Sequence, residues 1–115
     1  MTTRRMSVGQ AIVEFLAHQY TVDGAHRERT IQGVFGIFGH GNVAGIGQAL
    51  KQLSTTSPDV MPYFQARNEQ AMVHESSAFA RMKRRRATFA CTASVGPGAT
   101  NMLTGAAVAT TNRLP

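Results

Sequence analysis

The sequence predicts an α/β fold, a parallel sheet with helices on both faces. Three observations carry that expectation. Short apolar runs alternate with stretches of helical spacing, in the order helix and then strand–helix three times. The run at 34–38, Val-Phe-Gly-Ile-Phe, is apolar throughout, as a strand covered on both sides is. Each strand stops at a polar or glycine-rich cluster, at 39–42, 67–69 and 96–101. Ligands of open parallel sheets bind at the carboxyl ends of the strands, so these three clusters mark one candidate site.

Ser7-Val8-Gly9-Gln10 has the form of a capping box, in which the Ser7 hydroxyl takes a free helix amide and Gln10 reaches back to the cap. Ile12, Phe15, Leu16 and Gln19-Tyr20 follow at helical spacing, predicting a helix over roughly 8–20. Residues 21–32 are polar and charged and read as a loop. The strand at 34–38 runs into Gly39-His40-Gly41-Asn42, a glycine turn whose Asn42 is placed to cap the next helix. That helix carries Val43, Ile46, Leu50 and Leu53. A loop over 54–62 leads to a second strand at 63–66. Helix resumes over 69–82, with Met72, Val73, Ala78, Phe79 and Met82 as core candidates. A third strand at 87–92 ends in Ser94-Val95-Gly96-Pro97-Gly98. The last helix starts near 99–101 and carries Met102, Leu103, Ala106, Ala107 and Val108.

A chain of 115 residues with 43% hydrophobic residues buries one core. The single cysteine, Cys91, excludes an internal disulfide and reads as a small buried hydrophobe. No run of about 18 apolar residues exists, so no membrane span is expected. Glu14 and His18 interrupt the stretch after Arg4-Arg5, which argues against a signal peptide and for a cytoplasmic protein. The net charge is +6, and Lys83, Arg84, Arg85 and Arg86 supply a third of the twelve basic residues. Without that run the charge falls to about +2. A solvated loop at a helix C-terminus explains the run better than a phosphate-backbone patch, because no aromatic side chains interleave with it to stack on bases.

Position and residue type leave the site residues open to plain readings. Glu69 opens a helix, where an acidic side chain is favourable. Gly96, Pro97, Gly98 and Asn101 make an ordinary strand-to-helix turn with Asn101 as its cap. His40 and Asn42 are a turn histidine and a helix cap, or a titratable donor beside a ligand. His74, one turn beyond Gln70, reads as a helix histidine. His18 and His26 have no ligand spacing, so no metal site is expected. Glycines 41, 45 and 47 lack the spacing of a dinucleotide fingerprint.

At the three clusters the sequence resembles thiamine-diphosphate enzymes of the acetolactate synthase superfamily. Arg67-Asn68-Glu69-Gln70-Ala71 through Phe79-Ala80-Arg81 is similar to their Arg-His-Glu-Gln segment and its Tyr-Ala-Arg close. Gly96-Pro97-Gly98-Ala99-Thr100-Asn101 matches their Gly-Pro-Gly turn with its following asparagine. Phe38-Gly39-His40-Gly41-Asn42-Val43, Gly45-Ile46-Gly47-Gln48-Ala49-Leu50 and the approach Thr92-Ala93-Ser94-Val95 resemble most the trihydroxycyclohexane-dione hydrolases of inositol breakdown. The resemblance spans most of 8–115. Asn68 departs from it where histidine is commoner, and Ser76-Ser77 where many relatives have Asp-Gly.

The resemblance implies a role for each cluster. Glu69 would hydrogen-bond a ring nitrogen of the aminopyrimidine of thiamine diphosphate and favour its imino tautomer. That requires a carboxyl holding or sharing a proton, and burial between sheet and helix would raise its pKa. Gly96, Pro97, Gly98 and Asn101 would form the wall that receives the ring. His40 and Asn42 would lie at the substrate end, facing a polyol-derived cyclic diketone, with His40 available for proton transfer. Magnesium and the diphosphate would be held by a later domain, and the active site would lie between subunits of a homodimer or larger homo-oligomer.

The chain stops at Asn112-Arg113-Leu114-Pro115, where another strand is expected. It therefore reads as residues 1–115 of a pyrimidine domain incomplete at its C-terminus, without the central and diphosphate-binding domains and inactive by itself. The implied reaction is hydrolytic opening of a cyclic 1,2-diketone. The rivals are an acetolactate-synthase-like carboligase, a small basic nucleic-acid-binding module, and a fragment with no independent fold.

Overall fold

The computed structural model describes residues 3–37, 39 and 42–115. Helix α1 spans Val8–Ala17. Its predicted capping box is present: the Gln10 amide donates to Ser7 Oγ at 3.2 Å, and the Ser7 amide donates to Gln10 Oε1 at 2.8 Å. The helix stops three residues short of the expected end. Tyr20 instead opens a strand, β1 (Tyr20–Asp23), which pairs antiparallel with β2 (His26–Arg29). The stretch read as a loop is thus a hairpin. It has no buried face and so no period-two apolar signal. Polar cross-strand contacts hold it instead: Thr21 and Thr30 share a hydroxyl bond at 2.8 Å, and the Arg27 guanidinium lies 3.8 Å from the Tyr20 ring centroid.

Strand β3 (Ile31–Gly36) begins earlier than the apolar run suggested, and Phe38 lies outside the described residues. A π-helical turn, Val43–Gly47, leads into α2 (Gln48–Thr56). Asn42 does not cap it. Its backbone is already helical and its side chain makes no cap bond. The wide turn also breaks the 3.6-residue register, which leaves Val43 exposed while Ala49 and Leu50 are buried. The loop before β4 (Tyr63–Gln65) is correspondingly shorter than expected, and all three β4 residues are exposed.

Helix α3 (Glu69–Met82) has the predicted bounds, and Asn68 caps it by accepting the Ala71 amide at 2.9 Å. Of its expected core residues, Met72 is fully buried, whereas Ala78 and Met82 face solvent. Ser76, Ser77 and Ala80 are buried in their stead. The reason is a polar seam: Ser76 Oγ donates to the Phe89 carbonyl at 2.9 Å and meets Thr88 Oγ1 at 3.1 Å. Strand β5 spans Thr88–Thr92. The last predicted helix is two, α4 (Pro97–Asn101) and α5 (Leu103–Thr111). Leu103, Ala106 and Ala107 point outward, and Gly105 is the buried residue of α5 because the helix packs there against Val73.

The sheet of β4, β3 and β5 is parallel, in that order, with Val34 opposite both Tyr63 and Ala90. The chain leaves β3 to one side for β4 and returns past it to β5. That reversal puts the two crossovers on opposite faces when both are right-handed. The packing agrees. Val13, Ala17, Val34, Ala49, Leu50 and Met61 form the core between the sheet, α1 and α2. On the other face Phe35, Phe64, Phe79 and Phe89 cluster under α3, with adjacent ring centroids 4.6–5.6 Å apart.

The basic run is not a free loop. Glu28 of the hairpin accepts from Lys83 Nζ at 3.2 Å and lies 3.3 Å from Arg86 Nε, and Arg86 also reaches Asp23 at 3.7 Å. The Lys83 bond holds the Glu28 carboxyl below the usual glutamate range, with help from His26 and the Lys83 and Arg86 charges and against a smaller effect of burial. Arg84 and Arg85 remain exposed.

Two expectations follow from the packing. A Cβ on Gly105 would lie 2.8 Å from Val73 Cβ and Cγ1. Overpacking costs about 1–3 kcal/mol and helix propensity returns up to about 1 kcal/mol, so Gly105→Ala should destabilise by about 1 kcal/mol in urea unfolding. Glu28 has a lowered folded pKa, so its stabilisation is complete above the ordinary glutamate value of about 4.3 and is lost as the pH falls below it. Amide exchange in residues 20–29, corrected for intrinsic rates, should therefore rise on acidification before the sheet opens, and Glu28→Gln should show the fast exchange at neutral pH.

Candidate functional site at the carboxyl ends of the strands

The three clusters picked out in the sequence meet where the strand order reverses, outside the carboxyl ends of β3 and β5. Gly39 continues β3, and a Cβ there would lie 2.7 Å from Ser94 Cα. Ser94, in the segment after β5, also meets the Gly-Pro-Gly turn: a Cβ on Gly98 would be 3.3 Å from Ser94 Cβ and 3.1 Å from Glu69 Oε1. Asn42 donates its side-chain amide to the Ala93 carbonyl. The first turn therefore lies against Ala93 and Ser94, and the proline turn lies between Ser94 and the start of α3.

Glu69 is placed by its helix. Asn68 fixes the N-terminus of α3, so the next side chain projects toward the Gly96–Asn101 segment. Asn101 Nδ2 donates to Glu69 Oε2 at 2.8 Å. The turn that brings Asn101 there depends on Gly96, whose φ of 63° and ψ of −120° suit glycine alone, and on Pro97 in the first turn of α4. Asn101 is thus no helix cap. It is the hydrogen-bond partner of the glutamate. Glu69, Pro97, Gly98, Thr100 and Asn101 line an open depression of about 480 Å³ with no Cβ on its Gly98 wall.

One expectation about Glu69 is overturned. Burial was expected to raise its pKa, but the carboxyl is lowered. The Asn101 amide is the main cause, the amide at the head of its own helix adds to it, and desolvation opposes them weakly because the depression is open to water. In this chain Glu69 is a carboxylate at neutral pH.

The remaining candidates fall as follows. His40 lies outside the described residues. Asn42 is half-buried and spends an N–H on Ala93, which leaves its Oδ1 as an acceptor. His74 meets Gln70 at 3.4 Å and is a helix histidine. Cys91 is half-buried beside the Met72 carbonyl, and burial pushes its thiol up to about 11, so it is inert at neutral pH. Among the described residues no three His, Cys, Asp or Glu side chains cluster, and no helix is long and apolar enough to cross a membrane. Ser94 was not singled out from the sequence. Its only signal was the run of small residues before Gly96, which let two backbones approach.

Removing the Asn101 amide should be visible at the carboxylate. In the purified chain the Glu69 side-chain carbon should titrate by NMR below the usual glutamate range, and Asn101→Ala should raise that midpoint toward the ordinary value. An unchanged midpoint would mean that the two side chains are not bonded in solution.

Comparison with known proteins identifies the family. Residues 6–115 match the family model described as thiamine pyrophosphate enzyme, N-terminal TPP binding domain. The chain is 49% identical over 111 residues to a 3D-(3,5/4)-trihydroxycyclohexane-1,2-dione hydrolase of Clostridium perfringens (strain 13 / Type A), covering 96% of this chain and 17% of that protein. It is 47% identical over all 115 residues to the protein of that name from Geobacillus thermodenitrificans, and 46% identical to one from Bacillus cereus (strain 03BB102), again covering 17% of each. The chain thus spans about a sixth of the length of these relatives. No solved structure matches. With its parallel sheet, its glycine turns and its helix-opening glutamate, the chain belongs to the family of N-terminal TPP-binding domains of thiamine pyrophosphate enzymes.

Proposed function

We propose that these residues form the aminopyrimidine-binding part of a thiamine-diphosphate-dependent hydrolase that opens a cyclic 1,2-diketone of the trihydroxycyclohexane-1,2-dione type. The observation that carries the cofactor assignment is the Glu69 carboxyl lying along the Cβ-less wall of Gly98, with Asn101 bonded to it. A flat heteroaromatic ring can enter such a depression, since nothing projects from Gly98 to block it. The substrate assignment rests on the names of the relatives, at 46–49% identity along the chain.

On this reading Glu69 is the catalytic carboxyl, and Gly96, Pro97, Gly98 and Asn101 form the ring's binding wall. The cofactor, when bound, supplies the carbanion chemistry at the substrate carbonyl. Glu69 must hold a proton at Oε1 to donate it to a ring nitrogen. Filling the depression excludes water from that oxygen and draws its pKa up, against the Asn101 bond on Oε2. His40 handles protons at the substrate end, and Asn42 Oδ1 accepts from a ring hydroxyl. Magnesium and the diphosphate are held outside these residues, in a later diphosphate-binding domain that, with a central domain, accompanies this one in the working enzyme. The open side of the depression is closed by a second subunit, so that a homo-oligomer is the active form. The location is cytoplasmic, in keeping with a lone cysteine.

The test is a chimera in which these 115 residues replace the matching segment of the Geobacillus thermodenitrificans relative. A folded chimera should consume the dione only with thiamine diphosphate and magnesium, and Glu69→Gln should lower kcat about 10²–10⁴-fold. Undiminished turnover by that variant would remove the assignment of Glu69. His40→Ala should impair dione turnover, whereas a chimera that joins pyruvate and ignores the dione would favour the carboligase.

A further inference from the structure

We infer that Ser94 is a positioning residue that couples the substrate-side turn to the Glu69–Asn101 pair. The functional meaning of that coupling rests on the reading above, but the contact path stands on geometry alone. Asn42 donates to the Ala93 carbonyl, so the first turn is tied to the backbone one residue before Ser94. Gly39 packs against Ser94 itself, where a Cβ would come within 2.7 Å of Ser94 Cα and 2.9 Å of its Cβ. Ser94 Cβ is also 3.3 Å from the point a Cβ on Gly98 would occupy, and that same point is 3.1 Å from Glu69 Oε1.

Interlocked backbones without intervening side chains have little room to yield. The Gly39 and Gly98 distances are to the points a Cβ would occupy, so at both places the backbone approaches Ser94 with no side chain between. A shift of the first turn is therefore passed through Ala93–Ser94 to Gly98 and on to the carboxyl, rather than absorbed. A substrate that engages Asn42 thereby adjusts the wall against which the cofactor ring and Glu69 meet. The serine Cβ is the element needed for this. Alanine supplies it, and glycine does not.

The experiment is a double-mutant cycle on the purified 115-residue chain, read at the Asn101 side-chain amide and the Glu69 carboxyl carbon by NMR at fixed pH, with the Met72 methyl as a check on the core. Asn42→Ala should shift both probes although it lies on the other turn. The same substitution should leave them in place when Ser94→Gly is present, and Ser94→Ala should preserve the response. If Asn42→Ala disturbs the Met72 methyl, Asn42→Ser takes its place in the cycle. Equal shifts in the serine and glycine backgrounds, or no shift in either, would overturn the coupling. Dione turnover by the chimera is a separate measurement, so a failed cycle and a failed thiamine assignment are told apart.

Discussion

The parallel pairing of β3 with both neighbours is the constraint on which the rest depends. Val34, Phe35 and Gly36 stand opposite Tyr63, Phe64 and Gln65 on one side. Val34, Phe35 and Gly36 also stand opposite Ala90, Cys91 and Thr92 on the other. In a parallel sheet this register brings all three carboxyl ends to one edge, so Gly39, Ala66 and Ala93 emerge close together. An antiparallel neighbour would have sent one of the turns to the far pole. The alternation of faces along β3 then assigns Val34 to the α1–α2 core and Phe35 to the aromatic cluster beneath α3. A slip of one residue would exchange those faces and pull the turns out of contact.

What the sequence made legible follows the strength of the physical signal. Helix α3 has the bounds read from its residue pattern, and the structure shows what fixes them: Asn68 caps its start, and Arg84 and Arg85 take positive φ just beyond its end. The glycine and proline turns were legible because few residues tolerate their backbone. Asn101 was read as part of the proline turn, but its partner there is a side chain, and no local spacing announces a bond between residues 32 apart. The hairpin was invisible because its stability comes from Thr21, Arg27 and Glu28 contacts rather than from apolar alternation. The buried Ser76 and Gly105 were passed over for Met82 and Leu103, since apolar residues are the usual core and here close approach and a polar seam took their places.

The charge pattern illustrates the same point. A run of four basic residues looks uniform on paper, yet Lys83 and Arg86 turn toward Glu28 while Arg84 and Arg85 turn away. The Glu28 pairs fasten a hairpin that has no apolar anchor of its own to the connection between α3 and β5. A solvated ion pair contributes little, typically under about 1 kcal/mol, but Glu28 is mostly covered and serves two cations at once. That arrangement also removes two of the four positive charges that suggested a nucleic-acid surface.

The proposed chemistry places opposing demands on Glu69, and the geometry shows how one side chain meets them. A carboxylate is what the open depression favours, since water, the helix amide and Asn101 all stabilise the negative charge. A proton is what an aminopyrimidine nitrogen needs to receive. The two oxygens differ: Oε2 accepts from Asn101, and Oε1 lies beside Gly98, 3.1 Å from the point a Cβ there would occupy. Asn101 therefore orients the group without occupying the oxygen that reacts. On the proposed reading only the environment of Oε1 has to change, and a ring held between Gly98 and Glu69 would exclude water from it. Desolvation of a carboxyl raises its pKa, against the lowering by the Asn101 donor and the helix amide. On the proposed reading the glutamate is ionised while the depression is open and protonated once it is filled, and a glycine at 98 leaves a ring room to come close.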